Sequence, residues 1–233
     1  YQGEQTGSLT INGKEAKEQS IFEISRTVGT VLQDLDGQFI GLTVAEDIAF
    51  ALENDCVPKS EMIQRVAATA KRVNIADHLD HAPDELSGGQ KQRVSMAGIM
   101  VDDVKVFLFD EPLANLDPAT GKQAIEVIEQ IQKDTDAAVI IIEHRLEDVL
   151  WRDVDRIVLM NEGRILSDTT PDQLLASDLL VENGIREPLY LTALKYAGVP
   201  IREEAKPHSI RTIELSEEDT RKVQAWYRSA EPK

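Results

Sequence analysis

Leu86-Ser87-Gly88-Gly89-Gln90-Lys91-Gln92-Arg93 is the stretch from which the rest of this 233-residue chain is read. Ser87 and Gln90 have capping-box spacing: the hydroxyl can accept an orphan N–H of a helix start, and the amide can reach back to the Ser87 backbone. Gly88 and Gly89 place no Cβ between a ligand and the backbone. Val94, Ala97 and Val101 then recur at helical spacing, so the run predicts a buried helix. Its positive dipole end would face outward, where a phosphate can bind. A Ser-x-x-Gln box alone would mean only a capped helix, but the full eight-residue run is much rarer.

The run resembles the signature motif of ATP-binding-cassette (ABC) ATPases, and four further segments resemble that family's other motifs in the family's order. Gln33 closes an apolar stretch containing Val28, Val31 and Leu32. Val106-Phe107-Leu108-Phe109 leads into Asp110-Glu111, and Asn115-Leu116-Asp117-Pro118 supplies a turn with a second aspartate. Val139 to Ile142 runs through Glu143 into His144. The resemblance implies an α/β fold with a P-loop NTPase-like ABC ATPase core, a parallel sheet flanked by helices. That core is expected to be N-terminally truncated, and to carry an inserted helical subdomain and a small C-terminal appendage.

Composition agrees. With 42% hydrophobic residues, the chain can bury one sizeable core and a small addition. Its single cysteine, Cys56, rules out a disulfide framework within the chain and suits a reducing compartment. A formal net charge of −17 argues against broad nucleic-acid binding, because a phosphate backbone would be repelled. No apolar run approaches bilayer length. The expectation is a soluble subunit at the cytoplasmic face of the cell membrane, linked to it peripherally through partner subunits.

Ser8 to Ile11 and Thr27 to Leu32 read as strands of the α/β core. Thr43 to Asn54 and Pro58 to Asn74 read as helices, the second with Met62, Val66, Ala70 and Val73 on one face. From Lys105 to Thr169 strand and helix patterns alternate, as a parallel sheet with helical crossovers requires. Asn161-Glu162-Gly163-Arg164 reads as a hairpin turn, Thr170-Pro171 as a helix start, and Leu189 to Tyr196 and Ser216 to Tyr227 as helices. Val223, Trp226 and Tyr227 of the last could form a docking face. The expected segments are 1–42 (remnant of the N-terminal core with the glutamine loop), 43–104 (helical subdomain with the signature), 105–183 (core) and 184–233 (appendage).

The chemistry suits these residue types. Phe107, Leu108 and Phe109 read as a strand buried on both faces, which sets Asp110 at its carboxyl end, where open α/β sheets bind ligands. Asp110 would hold Mg²⁺, directly or through water, since hard cations take oxygen ligands. Glu111 would orient or deprotonate the attacking water. Glu143-His144 lacks the second histidine of a zinc-protease motif, and the family resemblance assigns His144 a contact to the γ-phosphate of ATP. Gln33 would reach Mg²⁺ or the attacking water and sense a membrane subunit. His78 and His81 could ligate a metal, although a polar loop is the better reading of that segment.

Gln33-Asp34-Leu35-Asp36-Gly37-Gln38-Phe39 and Thr43 to Phe50 are similar to the corresponding segments of energy-coupling-factor ATPases, which drive vitamin and transition-metal uptake. The resemblance implies that integral membrane transporter subunits dock in the glutamine-loop groove. It also implies that ATP is sandwiched between one subunit's metal site and the signature of a second ABC ATPase subunit, in a homodimer or a heterodimer. Ser87, Gly88, Gly89 and Gln90 would then contact the neighbour's ATP, with Asp117 at the seam.

One departure matters. The phosphate-cradling G-x-x-x-x-G-K-[ST] does not occur in these 233 residues. In its nearest lookalike, Gly7 to Lys14, the glycine spacing is wrong and Glu15 follows the lysine. The chain is therefore expected to start late, to bind ATP poorly by itself and not to hydrolyse it, whereas the intact gene product is expected to be an ATPase. Two other readings stay open. A non-transport ABC ATPase of repair or translation is one, although too few residues separate Gln33 from Leu86 for the long coiled coils of repair members. A catalytically inactive ABC assembly module is the other.

Overall fold

The computed structural model describes residues 4–102, 104–114 and 116–229; Asn115, named above, lies outside them. Two compact units divide the chain, one ending at Glu143 and the other beginning at His144.

The first unit opens with β1 (Thr10–Ile11) paired antiparallel to β2 (Lys14–Glu15). This corrects the expectation of a core strand at Ser8 to Ile11. Asn12 (φ 50°) and Gly13 (φ 77°) both adopt positive φ, which is the requirement of a two-residue hairpin turn, and the chain folds back on itself before it can join another sheet. α1 (Ile21–Ser25) follows, capped by a reciprocal Ser20–Glu23 box. Then come β3 (Val28–Val31), α2 (Val44–Asn54), α3 (Lys59–Arg72), α4 (Gly88–Met100), β4 (Val106–Asp110), α5 (Pro118–Thr135) and β5 (Ala138–Ile142).

β3, β4 and β5 form a parallel sheet in that order, with Val28 opposite Val106 and Asp110 opposite Ile142. Parallel neighbours need long crossovers; α2, α3 and α4 lie between β3 and β4, and α5 lies between β4 and β5. Helix α2 buries Val44, Ile48 and Leu52 along one stripe, α3 buries Val66 and Ala70, and α4 buries Val94, Met96 and Ala97. α4 runs so close to β3 that a Cβ on Gly29 would stand 2.9 Å from the Cβ of Ile99. Glycine is therefore required at that crossing. β4 is buried on one face rather than both. Phe107 and Phe109 are enclosed, while Val106 and Leu108 are half-buried and Ile140 and Ile142, on the neighbouring strand, are 50% and 52% exposed.

The second unit contains α6 (Leu146–Val149), the antiparallel pair β6 (Ile157–Asn161) and β7 (Arg164–Thr169), α7 (Pro171–Leu175), α8 (Leu179–Glu182), α9 (Leu189–Tyr196) and α10 (Glu217–Ser229). The β6–β7 turn is tight, with Glu162 at φ 47° and Gly163 at φ 72°. Leu150, Leu159, Leu174, Leu175 and Leu180 share one core with Leu191, Leu194 and Val199, and Val223 of α10 packs against it. Among the described residues no helix is long and apolar enough to cross a membrane.

Candidate functional site

In the first unit two strand ends meet. Gln33 stands exposed two residues beyond β3. β4 ends at Asp110, and Glu111 leaves it at φ 47°, a left-handed conformation that residues other than glycine seldom adopt. The Glu111 N–H still donates to the Ile142 carbonyl at 2.9 Å, so the backbone turns while β5 holds it. Gln33 Nε2 donates to Glu111 Oε2 at 2.7 Å, joining two residues remote in sequence. The loop after Glu111 is pinned twice: Leu113 N donates to Glu143 Oε2 at 3.2 Å, and the buried Gln92 amide donates to the Pro112 carbonyl.

Side chains hold the segment after Gln33. Leu32 N donates to Gln38 Oε1 at 3.0 Å and Gln38 Nε2 donates to the Thr30 carbonyl at 3.2 Å. The Gln38 amide thus takes the place of a neighbouring strand beside β3. Asp47 Oδ1 accepts from Ile40 N at 2.8 Å and Gly41 N at 3.2 Å. A Cβ on Gly41 would lie 2.3 Å from the Asp47 nitrogen, so this close turn admits only glycine. Lys91 of α4 reaches Asp36 at 2.5 Å, tying the signature helix to this loop.

The signature forms the expected cap. Gln90 Oε1 accepts from Ser87 N at 2.8 Å and Ser87 Oγ accepts from Gln90 N at 3.4 Å, with Ser87 and Gly88 exposed. The two glycines serve different ends. The nearest atom to a Cβ on Gly88 would be Leu116 Cδ2 at 4.0 Å, whereas a Cβ on Gly89 would stand 2.7 Å from Thr120 Cγ2. Gly88 keeps the approach to the backbone open, and Gly89 lets α4 lie against the start of α5. Beyond the cap, Gln90 Nε2 meets His78 Nε2 at 2.8 Å.

Asp117 is the N-cap of α5. Its carboxylate accepts from Ala119 N at 2.9 Å, Thr120 N at 3.1 Å and Thr120 Oγ1 at 2.5 Å. The Thr120 hydroxyl, and after it the Thr120 N–H, hold this carboxyl below the ordinary carboxylate range. His144 is exposed and opens the second unit, two residues past the end of β5, the strand that pairs with β4.

The rings of His78 and His81 lie 5.1 Å apart, and among the described residues no group of three or more His, Cys, Asp or Glu is placed to hold a metal. Mg²⁺ does not require such a cluster, since it keeps several waters and binds through one or two carboxylates together with substrate phosphates. Asp110, with the amide of Gln33 nearby in the same sheet-end region, offers oxygen donors of that kind.

Sequence reading missed the strand-like role of Gln38, the Gln92 tie to Pro112 and the Gln90 contact of His78. Glutamine and histidine carry no periodic or spacing signal for such long-range bonds. Lys91 and Asp36 both lay inside segments already singled out, but nothing in the sequence pairs them.

A family described as "ABC transporter" matches residues 1–114, and one described as "ATP-binding cassette cobalt transporter" matches residues 177–233. A putative ABC transporter ATP-binding protein of Clostridium perfringens is 60% identical over 224 residues, 96% of this chain and 39% of that protein. The chain belongs to the ABC transporter ATP-binding protein family. Another family member, from Photobacterium profundum, is 57% identical over 225 residues, 97% of this chain and 40% of its own length. The ABC chain described here thus spans about two fifths of the length of these curated relatives. The structure of CbiO1 from Clostridium perfringens, part of the ABC transporter complex CbiONQ, matches with a TM-score of 0.67 at 29% identity, covering 79% of this chain and 74% of that one. The α/β ABC ATPase fold expected from the signature is the fold observed.

Proposed function

We propose that this chain is part of the ATP-hydrolysing subunit of an ABC importer of the energy-coupling-factor type, serving uptake of a cobalt-type or vitamin solute. The observation that carries the reading is the Gln33–Glu111 hydrogen bond at the carboxyl ends of β3 and β4. It fixes a carboxylate where an α/β sheet receives ligands and links it to the loop expected to face the membrane partner. The relatives are named as transporter ATP-binding proteins, which gives the repair, translation and assembly readings no support.

In this reading Asp110 holds Mg²⁺ with help from Gln33, and the ion, when bound, neutralises charge on the phosphate oxygens of ATP. Glu111 accepts a hydrogen bond from the attacking water and orients it, with Gln33 restraining the carboxylate's rotation. His144 contacts the γ-phosphate. Ser87, Gly88, Gly89 and Gln90 belong to the other half of the arrangement and face the ATP of a second ABC ATPase subunit, identical or not, with Asp117 near the seam. Segments 1–42 and 105–183 act as ATPase core, 43–104 as the helical subdomain that carries the signature and receives the integral membrane subunits, and 184–233 as an accessory region. The assembly works at the cytoplasmic face of the membrane without binding nucleic acid.

No phosphate-cradling G-x-x-x-x-G-K-[ST] occurs in the 233 residues, so the chain by itself binds ATP weakly and does not hydrolyse it. The test is Mg²⁺-dependent phosphate release. The intact gene product should hydrolyse ATP and its Glu111→Gln variant should lose at least about a hundredfold in rate, the lower end of the range typical of a general base. The 233-residue chain should match its own Glu111→Gln control. Full activity in the intact Glu111→Gln protein would remove Glu111 from the mechanism.

A further inference from the structure

We propose that His78 is a positioning residue of the signature, holding Gln90 through a hydrogen bond whose direction the backbone dictates. Its functional consequence rests on the ATPase reading above. Gln90 Oε1 accepts from Ser87 N at 2.8 Å. A backbone N–H can only donate, so that end of the amide is the oxygen. The other end, an NH₂ that also can only donate, lies 2.8 Å from His78 Nε2. His78 must therefore present a lone pair at Nε2 and carry its proton on Nδ1.

The opposite side of the ring supports this assignment being imposed by Gln90. Nδ1 is buried and has no hydrogen-bond partner, so nothing on that side selects the Nδ1–H tautomer. An Nε2–H tautomer, or an imidazolium, would set donor against donor at Gln90 and release the amide from Ser87.

His78 is itself held firmly. It ends a short 3₁₀ turn, Ala76–His78, in which its N–H donates to the Ile75 carbonyl at 3.0 Å. The next residues cap another helix: Val44 N donates to the His81 carbonyl at 3.0 Å and Ala45 N to the Leu79 carbonyl at 2.9 Å. A continuous path of bonded groups thus runs from the start of α2 through His78 and Gln90 to the Ser87 N–H. Helix α4 has its own anchor in the buried residues Gln92, Val94, Ser95, Met96 and Ala97. Removing His78 should loosen the exposed cap of Ser87 and Gly88 and leave the helix packed.

The experiment uses two substitutions in the intact ATPase and one spectroscopic measurement on the full 233-residue chain. His78→Leu removes the acceptor, and His78→Gln places an amide oxygen near the position of Nε2. For His78→Leu the KM for ATP should rise about two- to tenfold, the range expected for one lost hydrogen bond, with kcat nearly unchanged, and His78→Gln should restore most of the wild-type KM. A fall in kcat at constant KM, or His78→Gln behaving as His78→Leu, would overturn the proposal. Long-range nitrogen–carbon NMR of the imidazole should show the Nδ1–H tautomer; an Nε2–H tautomer or an imidazolium at neutral pH would also overturn it. If the intact Glu111→Gln protein still hydrolysed ATP, the ATPase reading would fail separately and the NMR result alone would decide the His78–Gln90 bond.

Discussion

Glu111 directly follows β4, and the backbone turns at that residue with φ 47°. For an L-residue the left-handed conformation costs about 1–2 kcal/mol, and glycine avoids it while losing part of the gain to its freer unfolded chain. Glu111→Gly should accordingly be about 0.5–1 kcal/mol more stable than Glu111→Ala in urea unfolding. Equal stability would mean that the turn carries no strain. The sequence named Glu111 as the base but gave no sign of this backbone, because φ at a strand end depends on how the next loop is anchored, here by Glu143 and Gln92. Asp117 offers a pH test at the same scale. Hydrogen bonds from Thr120 lower its folded pKa, so its contribution to stability is complete above the unfolded carboxylate value of about 3.9 and disappears as pH falls through the lower folded value. Asp117→Ala should therefore lower the thermal midpoint at neutral pH, with the difference from wild type closing in strong acid. A difference that persisted there would remove the ionised cap as its cause.

Helix starts were the most legible elements. Ser87 with Gln90, Thr43 before α2 and Thr170 before α7 all cap as local chemistry dictates, and Glu162-Gly163 turns as its residue types require. What escaped sequence reading depends on close approach between distant elements. Gly29 under α4 and Gly89 beside Thr120 are glycines for tertiary reasons, and the loss of β1 to a local hairpin turned on Asn12-Gly13. The two signature glycines separate these causes. Gly89→Ala should destabilise by about 1–3 kcal/mol through overpacking, while Gly88→Ala, in open space, should be neutral or stabilising by up to about 1 kcal/mol. Thr120→Ser deletes Cγ2 and keeps the hydroxyl bonded to Asp117, so it should rescue Gly89→Ala in denaturant unfolding. If Gly88→Ala and Gly89→Ala proved equally disruptive, the α4–α5 contact would not explain Gly89.

At the scale of the whole molecule, the order of motifs was legible because each one sits at a strand end or a helix start. Gln33 lies just beyond β3, Asp110 ends β4, Glu111 follows it, and the signature opens α4. The uncovered face of β5, with Ile140 and Ile142 exposed, was not legible, since an apolar run does not say which of its sides will be covered. The proposed function sets this chain, which spans about two fifths of the length of its curated relatives, within a larger ATPase assembly. The central claim is that the assembly uses the chain twice, Asp110 and Glu111 on one side of an ATP and Ser87 to Gln90 on the side of another. Retention of labelled ATP by the intact Glu111→Gln protein through rapid desalting tests this most directly, whether the two ATPase halves are identical, different or fused. The account predicts that ATP is retained and that adding Ser87→Arg releases it; retention unaffected by Ser87→Arg would contradict a signature that closes over another site's nucleotide.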